Sequence, residues 1–199
     1  MSISIAVTCH EPYLKWLAGC IESIDLQRPE YDAKFLVLDG CEPPAWVPED
    51  WIVIRGNWGS CVPGRRLAVE ACDTDWIVFC DADTQMRVDS SYLIAGDIRR
   101  AGADVAFIYY PIVFCDEQLR LIEELRYDVP EWDPLELSFS NFVNTCSVWR
   151  VAAMSGNSAW RVLHGSYDYI LALDLSRRGW NGLKGTGSIN IAREHPTSM

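Results

Sequence analysis

Two carboxylates one residue apart, Asp81 and Asp83, follow directly on the apolar run Trp76-Ile-Val-Phe-Cys80. Five apolar residues rich in β-formers are too few for an ordinary helix and read as a strand buried on both faces. The acids therefore stand where a strand ends, and in an open parallel sheet the ligand crevice lies outside the carboxyl ends of the strands. Acids in that place have two readings. Asp supplies Asx-turns and helix caps wherever strands stop. Paired carboxylate oxygens also complete, with water and phosphate oxygens, the shell that Mg2+ or Mn2+ prefers.

Other residues able to do chemistry stand at similar places. Thr8-Cys-His-Glu-Pro12 closes the apolar run that starts at Ile3, and Asp39 closes Lys34 to Leu38. Arg65 and Arg66 follow a glycine-punctuated stretch, Arg55-Gly-Asn-Trp-Gly-Ser60. Asp168 stands near the start of a helical pattern. It is either a first-turn acid favoured by the dipole or a general base for a hydroxyl. His195, in Glu-His-Pro196, is a packing histidine or a ligand.

The elements that must position these residues form a βα alternation. Behind Pro12, which suits the first position of a helix, Leu14, Leu17, Ile21 and Ile24 recur at helical spacing. Trp51 to Ile54 adds a third strand and Pro63 to Cys72 a helix before the Trp76 strand. Right-handed crossovers then bring Thr8, Asp39 and Asp81 to one edge of one sheet. Turn preference explains any one of them, whereas their coincidence describes a nucleotide-sized pocket. Farther on, Asp89 to Ala101 predicts a helix and Asp104 to Tyr110 a strand. Glu117 to Tyr127 predicts a helix, and Asp128 to Pro134 an irregular loop. Phe139 to Arg150 predicts a strand crossing back over the sheet. Tyr167 to Arg178 predicts a helix capped by Ser166 and stopped by Gly179. Gly182 to Gly187 reads as a glycine-rich connection and Ser188 to Ala192 as a last strand.

At 199 residues the chain makes one domain, 1–199, of the α/β class, with a mostly parallel central sheet flanked by helices. Apolar residues at 49% against 23% charged exclude disorder of the whole. A net charge of -11 repels phosphate backbones, so a nucleic-acid partner would need a local basic patch built on the Arg pairs at 65–66, 99–100 or 177–178. The eight cysteines show no C-x-x-C pair and no zinc spacing, which points to a reducing, cytoplasmic setting. No apolar run approaches the ~20 residues of a membrane span, and no leader pattern opens the chain.

On these residues the chain resembles the GT-A glycosyltransferases, most closely the family 2 nucleotide-sugar transferases, along nearly its whole length. Ile5 to Pro12 is similar to that family's first strand and Thr-bearing nucleotide loop, and Val37-Leu-Asp-Gly40 to the segment whose Asp holds the nucleobase. Asn57 to Arg66 resembles the stretch along the diphosphate, with wider spacing from Gly59 to either Arg. Phe79-Cys-Asp-Ala-Asp83 resembles the D-x-D strand end. Gly165-Ser-Tyr-Asp-Tyr169 is similar to the family's Glu-Asp helix start, with Tyr167 in place of the Glu.

The resemblance implies a Rossmann-like GT-A domain with a nucleotide-sugar-binding half, 1–110, and an acceptor half with a C-terminal tail, 111–199. It implies a metal-dependent, inverting hexosyltransferase with a UDP- or GDP-type sugar donor and an unknown acceptor: small molecule, glycan, protein or modified nucleic-acid base. Mn2+ or Mg2+ would be held by Asp81, Asp83 and His195. Donor contacts would come from Thr8, Glu11, Asp39, Arg65 or Arg66, Asp81 and Ala82, with Asp39 accepting from the base. Asp168 would be the general base. Trp149 and Trp160 are candidates for stacking on sugars or for core packing, and His164 precedes the Asp168 turn.

Three rivals bear on the same residues. A catalytically silent sugar-nucleotide-binding or scaffold protein of this fold fits the altered Tyr167-Asp168 pair. A nucleotidyltransferase would carry a Gly-rich loop with Arg after the first strand, where this chain has Thr-Cys-His-Glu-Pro12. A phosphatase using Asp81 as nucleophile would place Thr or Val four residues on, where Gln85 stands.

Overall fold

The computed structural model describes residues 1–161 and 166–195, and only the backbone at 123–126. Among the described residues seven strands form a central sheet. Their order is β10 (Asn181–Lys184), β6 (Val105–Tyr109), β9 (Val148–Arg150), β4 (Trp76–Asp81), β1 (Ile3–His10), β2 (Ala33–Asp39) and β3 (Trp51–Gly56). β1 is parallel to both β2 and β4, and its register sets Thr8 opposite Asp81 and His10 opposite Asp39. The three polar strand ends therefore do share one edge.

Alternation along β1 shows why both faces are covered. Ile5 and Val7 enter one apolar cluster with Leu17, Ile21 and Ile24 of α1 (Leu14–Asp25) and Ile94 and Ile98 of α3 (Ser90–Arg100). Ala6 enters the other, with Val62 and Ala68 of α2 (Cys61–Ala71) and Leu171 and Leu175 of α6 (Tyr167–Arg177). Successive strand side chains point to opposite faces, so a continuous apolar run feeds two layers. Full burial of a Val, Leu or Ile contributes roughly 1.5–3 kcal/mol each, and these layers anchor the strands whose ends form the shared edge. No helix of the described residues is long and apolar enough to cross a membrane. All eight cysteines are free thiols.

A second sheet takes the order β5 (Thr84–Met86), β11 (Asn190–Arg193), β7 (Ile112–Cys115) and β8 (Leu121–Tyr127), of which the sequence pattern announced only β11, as the last strand expected over Ser188 to Ala192. It overturns the helix predicted over Glu117 to Tyr127. Asp116 Oδ1 accepts from the amides of Gln118 and Arg120, the Asp116 amide donates to Arg120 O, and Leu119 takes a φ of 65°. That tight turn reverses the chain and sets Leu121 opposite Cys115 and Tyr127 opposite Ile112. Pairing outweighs helix propensity here.

The long strand predicted over Phe139 to Arg150 is also corrected. Asp133 caps α4 (Pro134–Phe139), accepting from the Leu135 amide at 2.8 Å with Pro134 in the first turn, so Phe139 ends a helix. Only Val148–Arg150 pairs, and it inserts between β4 and β6, antiparallel to both. The glycine-rich stretch at 182 supplies an edge strand, β10, parallel to β6.

Candidate active site

At the shared strand edge the Thr8 hydroxyl donates to Asp81 Oδ1 at 2.7 Å. Beneath them lies Arg65, 1% exposed, carried by α2. Its Nη2 donates to Thr8 Oγ1 at 2.6 Å and Asp81 Oδ1 at 2.5 Å, and its Nη1 to the Tyr167 hydroxyl at 2.7 Å. α2 reaches this depth because Gly64 lies flush on the sheet: a Cβ there would sit 2.2 Å from Val37 Cγ1. Arg65 thus supports the shared strand edge from below. Arg66, one residue on and about 100° around the helix, is exposed and pairs with Glu70 at 3.2 Å, so the expected diphosphate contact falls away from it.

Asp83 Oδ2 lies 3.1 Å from His195 Nε2. The cause is the second sheet. β11 runs antiparallel to β5 with Ala192 opposite Thr84, and Arg193 Nη1 donates to Asp83 O at 3.0 Å. The His195 ring is buried against Trp16, centroids 4.4 Å apart, and Tyr13, at 5.4 Å. Burial first, and then the Asp81 charge, push the Asp83 carboxyl above its ordinary value, while His195 pulls it down.

A hard divalent cation fits this donor set, because it would offset the charge that crowds Asp83 and take oxygen and imidazole ligands. The expected set of three is not assembled, however. Among the described residues no three His, Cys, Asp or Glu side chains are gathered around one point. Asp81 Oδ1 turns instead to Thr8 and Arg65, drawn by the guanidinium charge.

Asp168 is the second residue of α6 and 8% exposed. Its Oδ1 accepts from the Tyr169 amide at 2.8 Å, and Thr145 Oγ1 lies 3.5 Å from Oδ2. Ser166 stands at the cap position without a side-chain bond. Burial pushes the Asp168 carboxyl above its ordinary value, against the opposing Tyr169 bond and Arg65 charge. A buried carboxylate with raised proton affinity suits general-base work.

Beyond the ends of β1, β2 and β3 opens a cavity of about 780 Å3, lined by Glu11, Leu14, Cys41, Glu42, Arg55 and Asn57 among others. Arg55 pairs with Glu42 at its mouth. Glu11 lies where the sequence placed it. Asp39, expected to read the nucleobase, spends Oδ1 on the amides of Trp58 at 2.6 Å and Gly59 at 3.2 Å, so it holds the loop bordering the cavity. Ala82, expected at the donor, buries its methyl and gives its amide to Thr8 O at 3.0 Å. Trp149 is wholly buried in the core and unavailable to a sugar, and Trp160 stacks on Tyr167 at 6.4 Å. His164 and Gly165 lie outside the described residues. Sequence reasoning missed two residues: Trp58, which packs over Gly56, and Tyr167 as the partner of Arg65. The only signal for the second was its departure from the resembled pattern.

Residues 4–154 match the family model described as Glycosyl transferase family 2. No curated protein sequence matches the chain. Among solved structures, S. aureus TarS 1-349 in complex with UDP-GlcNAc superposes with a TM-score of 0.75 at 13% identity, covering 100% of this chain and 60% of that one. TarS 1-349 alone gives 0.73 at 15% identity, covering 97% and 60%, and its complex with UDP gives 0.72 at 14%, covering 98% and 61%. The likeness at these identities is one of fold, a GT-A architecture. The chain spans about 60% of the length of those TarS fragments.

Proposed function

The chain belongs to glycosyl transferase family 2, and on that premise we propose that it moves a sugar from a nucleoside-diphosphate sugar to an acceptor hydroxyl, with inversion. The observation carrying this reading is the meeting of Asp83 and His195 at 3.1 Å on the edge where Thr8 and Asp81 also end. The TarS fragments were solved with UDP and with UDP-GlcNAc, which favours a uridine donor in the cavity beside Glu11. Mn2+ or Mg2+ would be held by Asp83 and His195. Such an ion, when bound, supplies Lewis-acid charge against the leaving diphosphate.

Asp168 takes the acceptor hydroxyl proton as that oxygen attacks the anomeric carbon from the face opposite the diphosphate. The new carbon–oxygen bond forms as the bond to the diphosphate breaks. The diphosphate leaves with the electron pair and the proton rests on Asp168. The test is a thermal titration of the protein with UDP, GDP and their sugars, with and without Mn2+, followed by mass spectrometry for released nucleotide. A ligand at 100 times its Kd adds about 2.7 kcal/mol. Binding with turnover supports the transferase. Binding without any turnover indicates a silent sugar-nucleotide-binding protein, and no stabilisation by any nucleotide overturns the reading.

A further inference from the structure

A buried guanidinium is costly to desolvate, by several kcal/mol in real proteins, and a single exposed partner offsets only part of that. Asp81, the acid beside Arg65, is 41% exposed at its side chain. The guanidinium is instead stretched between two parts of the fold: Nη2 holds Thr8 and Asp81 at the tips of β1 and β4, and Nη1 holds the hydroxyl of Tyr167, the residue before Asp168. Those partners are 57, 16 and 102 positions away in sequence.

We propose that Arg65, acting through the Tyr167 hydroxyl, is a positioning residue that fixes Asp168 relative to Asp81 and so sets the distance between the proton acceptor and the donor sugar. This rests on the transferase reading above. Tyr167 is built as a rigid lever. Its ring packs edge-on against Phe79 at 6.4 Å and stacks on Trp160 at 6.4 Å, so the hydroxyl cannot move without the first turn of α6. Burial pushes that hydroxyl well above its ordinary range although Arg65 pulls it down, so the oxygen stays neutral and accepts from Nη1. A planar fork can reach all three oxygens at once, whereas an ammonium point charge cannot.

The experiment compares nucleotide-sugar turnover in the wild type, Tyr167→Phe and Arg65→Lys, with melting temperature as the folding control. Tyr167→Phe keeps the ring packing and deletes the acceptor. The expected result is a kcat lower by about tenfold with KM for the donor unchanged, the split of an interaction that matters only in the transition state. Arg65→Lys, which keeps the charge beside Asp81 and loses the fork, lowers kcat similarly and carries the comparison should Tyr167→Phe not fold. A Tyr167→Phe protein with wild-type kcat, or one altered in KM alone, overturns the proposal while leaving the transferase standing. A wild type without nucleotide-dependent turnover overturns both.

Discussion

His195 Nε2 and Asp83 Oδ2 lie 3.1 Å apart although 112 positions separate them. The contact exists because β5, only three residues long, pairs with β11 near the end of the described chain. A three-residue strand leaves almost no periodic trace, so the closing half of the site is a product of tertiary pairing.

If that pair holds a divalent cation, Asp83→Asn and His195→Gln abolish the Mn2+-dependent part of nucleotide stabilisation and leave the metal-free part. Wild type near 100 times its Kd gains about 2.7 kcal/mol. A thermal-shift series with and without Mn2+ reads the difference, and variants that keep the full metal-dependent shift would dismiss both residues as ligands.

Asp168→Asn separates binding from chemistry. Nucleotide binding is retained, and transfer falls by about 10²–10⁴, the range for a lost general base. The same variant has a stability signature. The folded Asp168 carboxyl holds its proton more tightly than the ordinary value of 3.8. Its stabilising effect is therefore full below pH 3.8 and is lost as pH rises through the higher folded value. At neutral pH the buried charge is a cost, so Asp168→Asn melts at or above the wild-type temperature at pH 7. Its advantage shrinks on acidification. A clear loss of melting temperature at pH 7 would contradict the burial argument.

The edge where β1, β2 and β4 end was legible because its polar residues directly follow uninterrupted apolar strands. Thr8, Asp39 and Asp81 could be placed by counting to the end of each run. Residues 117–127 were not, because their helix-forming composition is overruled by the Asp116 turn, a matter of two amide bonds to one carboxylate. Arg65 was legible as a cation but not as a buried one, since its burial depends on Gly64 lying against Val37. The contacts of Asp39 Oδ1 and of the Ala82 amide were not legible for the same reason: they are made to neighbours that only the fold brings near.

Asp39→Ala tests the loop-holding role. It strands the amides of Trp58 and Gly59 without their shared acceptor, a loss worth roughly 1–3 kcal/mol where water cannot replace it. Urea unfolding should report that loss, and nucleotide affinity should fall with it. Unchanged stability with lost affinity would return Asp39 to the nucleobase.

Trp58 gives the sharpest packing test, because its indole fills the space a side chain at two glycines would need. A Cβ at Gly56 would lie 2.1 Å from the ring, and one at Gly64 2.8 Å from it. Gly56→Ala must push the indole out of its seat, costing about 1–3 kcal/mol as overpacking does, and dragging the Trp58 amide off Asp39. Gly59→Ala is the control: nothing lies within 4 Å of its Cβ, but its φ of 62° strains any other residue, by about 1–2 kcal/mol. Both variants therefore lose stability, and only Gly56→Ala shifts the Trp58 indole resonance by NMR. Equal resonances in the two would mean that the ring does not rest on Gly56, one of the residues lining the cavity.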